Sequence, residues 1–197
     1  MKLSIKIAML VLALTFCVAP IVDSAEKAGS YFAVKAGIYS PESSDLTSNG
    51  ADFDNGFNGE IAFGRYLSQN FAAELGLGYF KTTDDQFGID ADIRAIPLTL
   101  SGKFLLPMGN FEPYAEIGIG IYATKLEVSG FGVSADDDDT TFGWHLGLGA
   151  NYNITTNIFL GVEGRYLWAS PEFSIFGVSD NVNINGITIT ANLGYRF

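Results

Sequence analysis

Hydrophobic residues recur at every second position along most of this chain, and that period of two constrains the fold more than any other feature. It is clearest at Asn70–Tyr79, where Phe71, Leu75 and Leu77 alternate with small or charged residues. Such alternation places successive side chains on opposite faces of a β-strand. The same pattern recurs along the chain and predicts eight strands, at about 31–39, 57–67, 70–80, 93–105, 111–125, 141–153, 157–168 and 184–197.

The connections between these strands alternate in length. Short ones fall at 68–69, 107–110 and 154–156, and long ones at about 40–56, 81–92, 126–140 and 169–183. A soluble sandwich has no reason to sort its loops in this way, whereas a transmembrane barrel has short turns at one rim and long loops at the other. No continuous apolar run after residue 25 suits a transmembrane helix. The sequence therefore predicts an all-β fold, an eight-stranded antiparallel up-and-down transmembrane β-barrel.

The two faces of the predicted strands differ sharply in polarity. The apolar face carries Phe32, Val34, Ala36, Ile38, Ile61, Phe63, Ile96, Leu98, Leu100, Ile158, Leu160, Val162, Ile187, Ile189, Ala191 and Leu193. The other face carries small residues and a charge cluster: Lys35, Glu60, Glu74, Lys103, Glu116, His145, Glu163, Arg165 and Arg196. Turning the four bases toward lipid would cost roughly 2–4 kcal/mol each, about 8–16 kcal/mol in all, which rivals the stability of a whole domain, about 5–15 kcal/mol. We therefore expect the cluster to line the lumen and its acids and bases to pair into a plug.

Aromatic residues gather at both ends of the predicted strands. One end has Tyr31, Tyr66, Phe71, Phe104, Phe111, Tyr114, Tyr152, Phe159, Tyr195 and Phe197, and the other has Tyr39, Phe57, Tyr79, Phe80, Tyr122, Phe142, Trp144, Tyr166 and Trp168. Aromatic rings prefer the headgroup level of a bilayer, so these sets predict two girdles. A soluble lipocalin-like barrel is excluded, because the apolar face would then form an exposed band far larger than soluble monomers tolerate.

Pro97 conflicts with a regular closed barrel. Proline cannot donate a hydrogen bond to a neighbouring strand, and a closed barrel has no edge strand to accommodate it. We expect either a bulge at Pro97 or a position near the rim that carries the long loops.

The first 25 residues have the organisation of a secretory signal peptide. Lys2 and Lys6 supply the positive end, and an apolar run at 7–19 is too short to span a bilayer. Small residues at 24–25 suit cleavage. The sequence predicts a signal peptide at 1–25 and a barrel domain at 26–197. Cys17, the single cysteine, then leaves with the signal, so no disulfide is expected.

The charge balance is strongly acidic. The chain has 22 acidic and 11 basic residues and a net charge of −11, which argues against a nucleic-acid partner. Most acids fall on or beside the long connections. They either bridge the surface to lipopolysaccharide through divalent cations or attract a basic partner, or they simply keep the loops solvated. The run Asp136, Asp137, Asp138 and Asp139 is a weak candidate for Ca²⁺, because it lacks the alternating ligands and the glycine of a calcium loop. No other metal and no cofactor is expected.

His145 is the single histidine and the natural candidate for catalysis. A serine–histidine mechanism needs a hydroxyl nucleophile within reach and an orienting acid behind the imidazole. No serine flanks His145, and its position in the alternating pattern of the strand directs its side chain into the lumen. We therefore expect a hydrogen-bonded lumenal histidine, no catalytic residue and no enzyme.

The last strand carries a family resemblance. The chain ends ITANLGYRF, with a terminal Phe197 preceded at alternate positions by Tyr195 and Leu193. This ending resembles the last-strand signal of bacterial outer-membrane barrels, and the stretches IPLTL, PYAEIGIG and GRY resemble the small OmpA/OmpX-type and opacity-type surface barrels. The resemblance spans 31–197 and implies an outer-membrane location among lipid and lipopolysaccharide. It also implies recognition of Leu193, Tyr195 and Phe197 by the barrel-insertion machinery, and no peptidoglycan-binding domain after Phe197.

The width of the barrel directs the functional expectation. Eight strands enclose an interior just wide enough for side chains to fill, so specific activity should lie on the loops. We expect a non-enzymatic surface protein with a structural, adhesion or envelope-integrity role and an extracellular protein or host-surface ligand. The alternative is a narrow channel for small solutes or ions.

Overall fold

The computed structural model describes residues 29–42, 55–86, 89–130, 133–170, 172–175, 178–181 and 184–197. The strands in these ranges are β1 (Ser30–Pro41), β2 (Gly56–Tyr66), β3 (Phe71–Gln86), β4 (Ile89–Leu105), β5 (Phe111–Gly130), β6 (Val133–Asn153), β7 (Ile158–Ala169), β8 (Glu172–Ile175), β9 (Val178–Asn181) and β10 (Gly186–Arg196). β1 to β7 and β10 form a closed antiparallel barrel, and β8 pairs with β9 as a separate hairpin. The predicted eight-stranded barrel is confirmed. The predicted signal peptide lies outside the described residues.

No helix among the described residues is long and apolar enough to cross a membrane.

The register between strands sets the tilt of the barrel. Directly paired residues lead once round the wall through Tyr31, Gly64, Glu74, Ser101, Gly118, His145, Leu167, Gly186 and back to β1 at Pro41. The path returns ten residues along β1, at 41 instead of 31. Eight strands with this stagger tilt by roughly 35–45° and leave an interior that side chains fill. The tilt brings residues from distant positions of the chain to one level of the lumen.

Three of the predicted long loops contain β-hairpins. Within 169–183, β8 pairs with β9, and two other loops continue the ladders of the barrel. The β3–β4 ladder continues out to Gln86 and Ile89, and the β5–β6 ladder to Gly130 and Val133. The prediction of loops at 81–92 and 126–140 is therefore wrong. Antiparallel pairing is made by the backbone. It persists here although one strand of each hairpin, at 81–86 and 134–141, is largely polar, while the facing segments 89–95 and 124–128 still alternate. We call this end of the barrel the hairpin rim, and the end with the short connections the turn rim.

Several aromatic residues assigned to the girdles instead point into the lumen. At the turn rim they form a buried cluster, the turn-side layer, of Tyr31, Ala33, Ala62, Tyr66, Ala72, Leu105, Tyr114 and Phe159. At the hairpin rim a second cluster, the hairpin-side layer, contains Tyr39, Phe80, Ala95, Tyr122, Leu167, Ala169 and Ile184. For these aromatics the girdle prediction is wrong. A residue near a rim can point either to the lipid or to the lumen, because the face of the strand on which it lies does not depend on its distance from the rim. Those on the outer face include Phe57, Phe71, Tyr79, Phe104, Phe111, Phe142, Trp144, Tyr152, Tyr195 and Phe197.

Pro97 interrupts the ladder between β3 and β4 without a bulge. The pairing stops at Leu77–Leu98 and resumes in the same register at Phe80–Ala95. Pro97 is buried and faces inward. The expected bulge is therefore absent. Pro97 has the other expected position, close to the hairpin rim, since Ala95 two residues away belongs to the hairpin-side layer.

Candidate functional site in the barrel lumen

Lys35 lies at the centre of the lumen and contacts three carboxylates. Its Nζ is 2.9 Å from Glu60 Oε1, 2.7 Å from Glu74 Oε1 and 3.0 Å from Glu163 Oε2. All four side chains are buried. They come from β1, β2, β3 and β7, so one ammonium group links four strands of the wall.

Two further cations complete this central charge network. Lys103 Nζ lies 2.8 Å from Glu74 Oε2, 3.3 Å from Glu163 Oε2 and 3.5 Å from Glu116 Oε2. Arg165 places Nη1 2.9 Å from Glu60, Nε 2.8 Å from Glu116 and Nη2 2.9 Å from Glu163. The central network therefore joins Lys35, Lys103 and Arg165 to Glu60, Glu74, Glu116 and Glu163. Glu163 is its hub, because all three cations contact it.

Tyrosine hydroxyls connect this network to the turn-side layer. Tyr31 donates a hydrogen bond to Glu74 Oε2 at 2.7 Å, and Tyr114 donates one to Glu163 Oε2 at 2.9 Å. Sequence reasoning placed both tyrosines in a membrane girdle and so missed them as members of the site. Their parity along the strand, which matches that of Lys35 and Glu116, is the signal that identifies them.

Three carboxylates of the network approach each other as closely as the ligands of a metal ion. Oxygen atoms of Glu74, Glu116 and Glu163 all lie within 4.8 Å of one another. The Lys103 ammonium contacts all three of these residues. A lysine side chain thus provides the positive charge that this acidic cluster requires, which suits a structural plug. A buried ion pair contributes to stability only where the geometry is good and the remaining polar atoms are hydrogen-bonded.

Arg196 lies outside the central network, in a separate cluster at the turn rim. Its Nη2 is 3.2 Å from Glu112, its Nε donates to the Tyr66 hydroxyl at 2.8 Å, and its guanidinium lies 4.5 Å from the centre of the Phe159 ring. The sequence prediction grouped Arg196 with the other lumen charges and missed Glu112, which is fully buried. Glu112 has the same parity as Glu116 and was overlooked because it lies at the very start of its strand.

His145 pairs with a serine that is remote in sequence. His145 Nε2 lies 2.9 Å from Ser101 Oγ, and within the described residues Nδ1 has no hydrogen-bond partner. Ser101 lies 44 residues before His145, so the residues that flank His145 in the sequence give no sign of this pair. The pair lacks the orienting acid of a catalytic triad. It also lies on the lumen side of the wall, where both side chains are buried.

The acidic run 136–139 lies on a strand. In the β5–β6 ladder Asp138 is opposite Lys125 and Asp139 is opposite Thr124. Successive residues of a strand present their side chains to opposite faces, so Asp138 and Asp139 do not share a ligand set. The side chains of Asp136 and Asp137 lie outside the described residues.

Leu193 and Tyr195 lie on the outer face of β10 at the turn rim, and Phe197 follows directly after this strand. Each exposes more than half of its side chain. Phe197 stacks on Phe32 of β1 with 5.6 Å between ring centres, and its backbone N donates to Ser30 O at 2.9 Å. The three side chains thus form an apolar stripe beside the seam where the last strand meets the first.

Comparisons with known proteins agree with this architecture. The family model described as "Outer membrane protein beta-barrel domain" matches residues 9–197. A putative outer membrane protein of Rickettsia prowazekii is 22% identical over 189 residues, covering 84% of this chain and 76% of that protein. Among solved structures, Neisserial surface protein A aligns with a TM-score of 0.54 at 16% identity, covering 89% of this chain and 100% of the other. Ail, the attachment invasion locus protein of Yersinia pestis, aligns with a TM-score of 0.54 at 17% identity, covering 86% and 97%.

Proposed function

The chain belongs to the outer membrane protein β-barrel family, and from that premise we propose that it is a non-enzymatic surface protein with a closed lumen, whose interactions are made by its extracellular hairpins. Its place in the outer membrane follows from the family and from relatives described as putative outer membrane proteins. In such barrels short turns face the periplasm and long connections face the outside. The hairpin rim is therefore the extracellular end.

The filling of the lumen is the observation that carries this proposal. The central charge network lies between the turn-side layer and the hairpin-side layer, and both layers consist of buried aromatic and aliphatic side chains. Glu74 and Glu163 of the network also accept hydrogen bonds from the turn-side layer. A solute that crossed the barrel would have to displace both layers and break buried ion pairs. The closed lumen favours a surface role over the alternative of a narrow channel.

Conductance in planar lipid bilayers tests the closed lumen. We expect the inserted barrel to give no stable openings, because eight strands enclose only enough space for the side chains that already fill it. The ring-truncated variant Phe80→Ala should remain closed as well, since the charge network below Phe80 is untouched. Large, stable openings of the wild-type barrel would contradict the plug and support the narrow channel.

The hairpins are the second support for a surface role. The β5–β6 ladder pairs residues from Phe111–Tyr152 out to Gly130–Val133, so the sheet continues well beyond the apolar band. A paired extension of this kind presents a preformed surface to an extracellular protein or a host-surface ligand. We propose a role in adhesion or in envelope integrity on this basis. The fold shared with Ail supports the architecture of the barrel and not its role.

A deletion strain separates the two surface roles. It would be complemented either by the wild type or by a variant in which residues 126–137 are replaced by Asn-Gly, and then tested for detergent sensitivity and for host-cell binding. For adhesion we expect the shortened variant to restore detergent resistance and not binding. If the shortened variant instead restores host-cell binding and does not restore detergent resistance, the result would support a role in envelope integrity. Full restoration of both properties would contradict a role for this hairpin.

The apolar stripe on β10 is proposed as the signal for the barrel-insertion machinery. Replacing Phe197 by serine should lower the amount of assembled barrel in cells several-fold and leave refolding of the purified chain in detergent nearly unchanged, because half of this exposed ring has no protein contact to lose. The heat-dependent shift of the folded barrel on gels measures both. Phe111→Ser, at the same rim on β5, is the matched control. Recognition of Phe197 would be contradicted if Phe111→Ser lowered the amount of assembled barrel in cells as much as Phe197→Ser does. It would also be contradicted if Phe197→Ser lowered the refolding yield in detergent as much as it lowers assembly in cells.

A further inference from the structure

The side chain of Arg196 connects the last strand of the barrel to four other strands at the turn rim. Its Nη2 is 3.2 Å from Glu112 Oε1 of β5, its Nε donates to the Tyr66 hydroxyl of β2 at 2.8 Å, and its Nη1 donates to Asn153 Oδ1 of β6 at 2.5 Å. Its guanidinium also lies 4.5 Å from the centre of the Phe159 ring of β7. We call these five residues the turn-rim cluster.

The turn-rim cluster spans the seam between the first and the last strand. The backbone of β10 pairs with β1 on one side and with β7 on the other. Tyr66 lies beyond β1, whereas Phe159, Glu112 and Asn153 lie on the β7 side. The guanidinium of Arg196 therefore has partners on both sides of the seam. It can contact all of them only after β10 has paired with β1.

Glu112 makes an open seam unfavourable. Its side chain is fully buried, and it accepts a hydrogen bond from Asn151 Nδ2 at 3.4 Å in addition to its ion pair with Arg196. A buried carboxylate is stable only where ion pairs and hydrogen bonds compensate for its lost hydration. Arg196 follows Glu112 by 84 residues in the sequence. The compensation of this buried charge is therefore completed by the last strand.

The outer face at the same end of the chain carries the apolar stripe of Leu193, Tyr195 and Phe197. Phe197 and Ser30 exchange two backbone hydrogen bonds of 2.9 Å, so the end of the chain pairs with the start of β1. Arg196 thus points into the lumen directly beside the residue that is proposed as the outward signal. An unpaired strand edge is open to pairing with another chain. Until β1 occupies it, this edge of β10 is available to a protein that holds the strand by its outer face.

We propose that Arg196 completes the closure of the barrel, and that closure releases the chain from the barrel-insertion machinery. The second part rests on the proposed recognition of the β10 stripe by this machinery. Two adjacent residues then have successive roles, because Phe197 is bound from outside while the barrel is open, and Arg196 binds inside when β10 meets β1. The contacts of Arg196 with Tyr66 and Glu112 favour β1 over the machinery as the neighbour of β10.

A disulfide across the seam measures closure during refolding of the purified chain in detergent. Ala36 of β1 and Ala191 of β10 are directly opposite and exposed on the outer face, so cysteines at these positions can form this disulfide. Ala73 of β3 and Gly102 of β4 are directly opposite away from the seam, and cysteines there give a reference disulfide. A Cys17→Ser background removes the single native thiol. The rate of the seam disulfide divided by that of the reference disulfide reports closure separately from formation of the wall.

Arg196→Met should lower this ratio roughly tenfold, because methionine fills much of the space without the ion pair and the hydrogen bonds. Tyr66→Phe removes only the hydroxyl that bonds Arg196 across the seam, so we expect a ratio that is lower by about two- to threefold. Tyr31→Phe is the matched control, since Tyr31 packs on Tyr66 with 5.4 Å between ring centres but its hydroxyl bonds Glu74. Its ratio should equal that of the wild type. If Arg196→Met does not fold, the comparison of Tyr66→Phe with Tyr31→Phe decides.

Cross-linking to the insertion machinery in cells tests release. Newly made Arg196→Met chains should remain cross-linked several-fold longer than the wild type, whereas Phe197→Ser chains should cross-link weakly from the start. Release of Arg196→Met at the wild-type rate would overturn the role of Arg196 in release. Wild-type ratios of the two disulfides in Arg196→Met and in Tyr66→Phe would overturn its role in closure. Normal cross-linking of Phe197→Ser would contradict the proposed signal alone, because the refolding measurement does not involve the machinery.

Discussion

Replacing Arg165 by methionine is expected to destabilise the folded barrel by about 3–5 kcal/mol, the cost of removing one partner from a buried ion pair. The guanidinium contacts Glu60, Glu116 and Glu163, each within 2.9 Å. Methionine has a similar length and fills much of the volume, so the loss is chiefly that of charge and hydrogen bonds. Glu116 would keep only the 3.5 Å contact with Lys103 among its ion pairs. Urea unfolding in detergent micelles, followed by the fluorescence of Trp144 and Trp168, measures the effect.

The composition of the central network predicts an asymmetry between removing a cation and removing an acid. The network has three cations and four carboxylates, so Arg165→Met leaves two excess carboxylates whereas Glu116→Gln leaves none. The amide oxygen introduced by Glu116→Gln can still accept a hydrogen bond from Arg165. We therefore expect Glu116→Gln to be clearly less destabilising than Arg165→Met. Arg65→Met, at the partly exposed outer face, is the control for loss of an arginine. A stability of Arg165→Met equal to that of this control would show that the network does not hold the barrel together.

Replacing Gly118 by valine is expected to cost about 3 kcal/mol or more, the upper range for overpacking a filled interior. Gly118 faces the lumen beside His145, and an added Cβ would lie 2.6 Å from the Leu100 carbonyl oxygen and 2.5 Å from His145 Cε1. The carbonyl belongs to the wall of the barrel and cannot move aside as a flexible side chain can. We expect most of the chain to remain unfolded in a refolding assay read by heat-dependent gel mobility.

Gly102 provides a matched control for Gly118. It lies on the adjacent strand, one residue from the partner of Gly118, and faces outward. The nearest atom to an added Cβ is the Ile117 carbonyl oxygen at 3.9 Å. Gly102→Val should fold as well as the wild type, because valine favours strands and its side chain meets lipid or detergent. Similar folding of the two variants would contradict a tightly filled lumen at Gly118.

The fold and the two faces of the wall could be predicted from local patterns. A period of two is a property of a single strand, so Lys35, Glu74 and Glu163 could be assigned to the lumen one at a time, and Leu77 or Val162 to the lipid. The sorting of short and long connections then indicated a barrel. The same parity rule also assigns Glu112 and Tyr114 to the lumen, although Glu112 lies at the start of its strand and an aromatic residue near a rim also suits a membrane anchor.

Hydrophobic alternation indicated only one strand of each hairpin beyond the apolar band. The segments 89–95 and 124–128 alternate, whereas the strands opposite them, which contain Asp84 and Asp138, are largely polar. The polar strands are held by backbone pairing, which leaves little trace in the sequence. The register between strands also decides which basic residues become neighbours. Lys81, Arg94 and Lys125 are scattered along the chain, and only the register between β3, β4 and β5 places them side by side.

Alternation along each strand was sufficient to decide which residues face lipid and which face the lumen, because that choice depends on neighbours two positions away. The level at which an inward residue meets its partners depends on the stagger of all eight strands, which carries the path from Tyr31 back to Pro41. That closure brings Glu163 to Lys35, 128 residues away, and leaves Arg196 with Glu112 at the turn rim. Only the closed barrel determines these ion pairs, because the stagger belongs to the whole ring of strands and cannot be read from any single segment of the sequence.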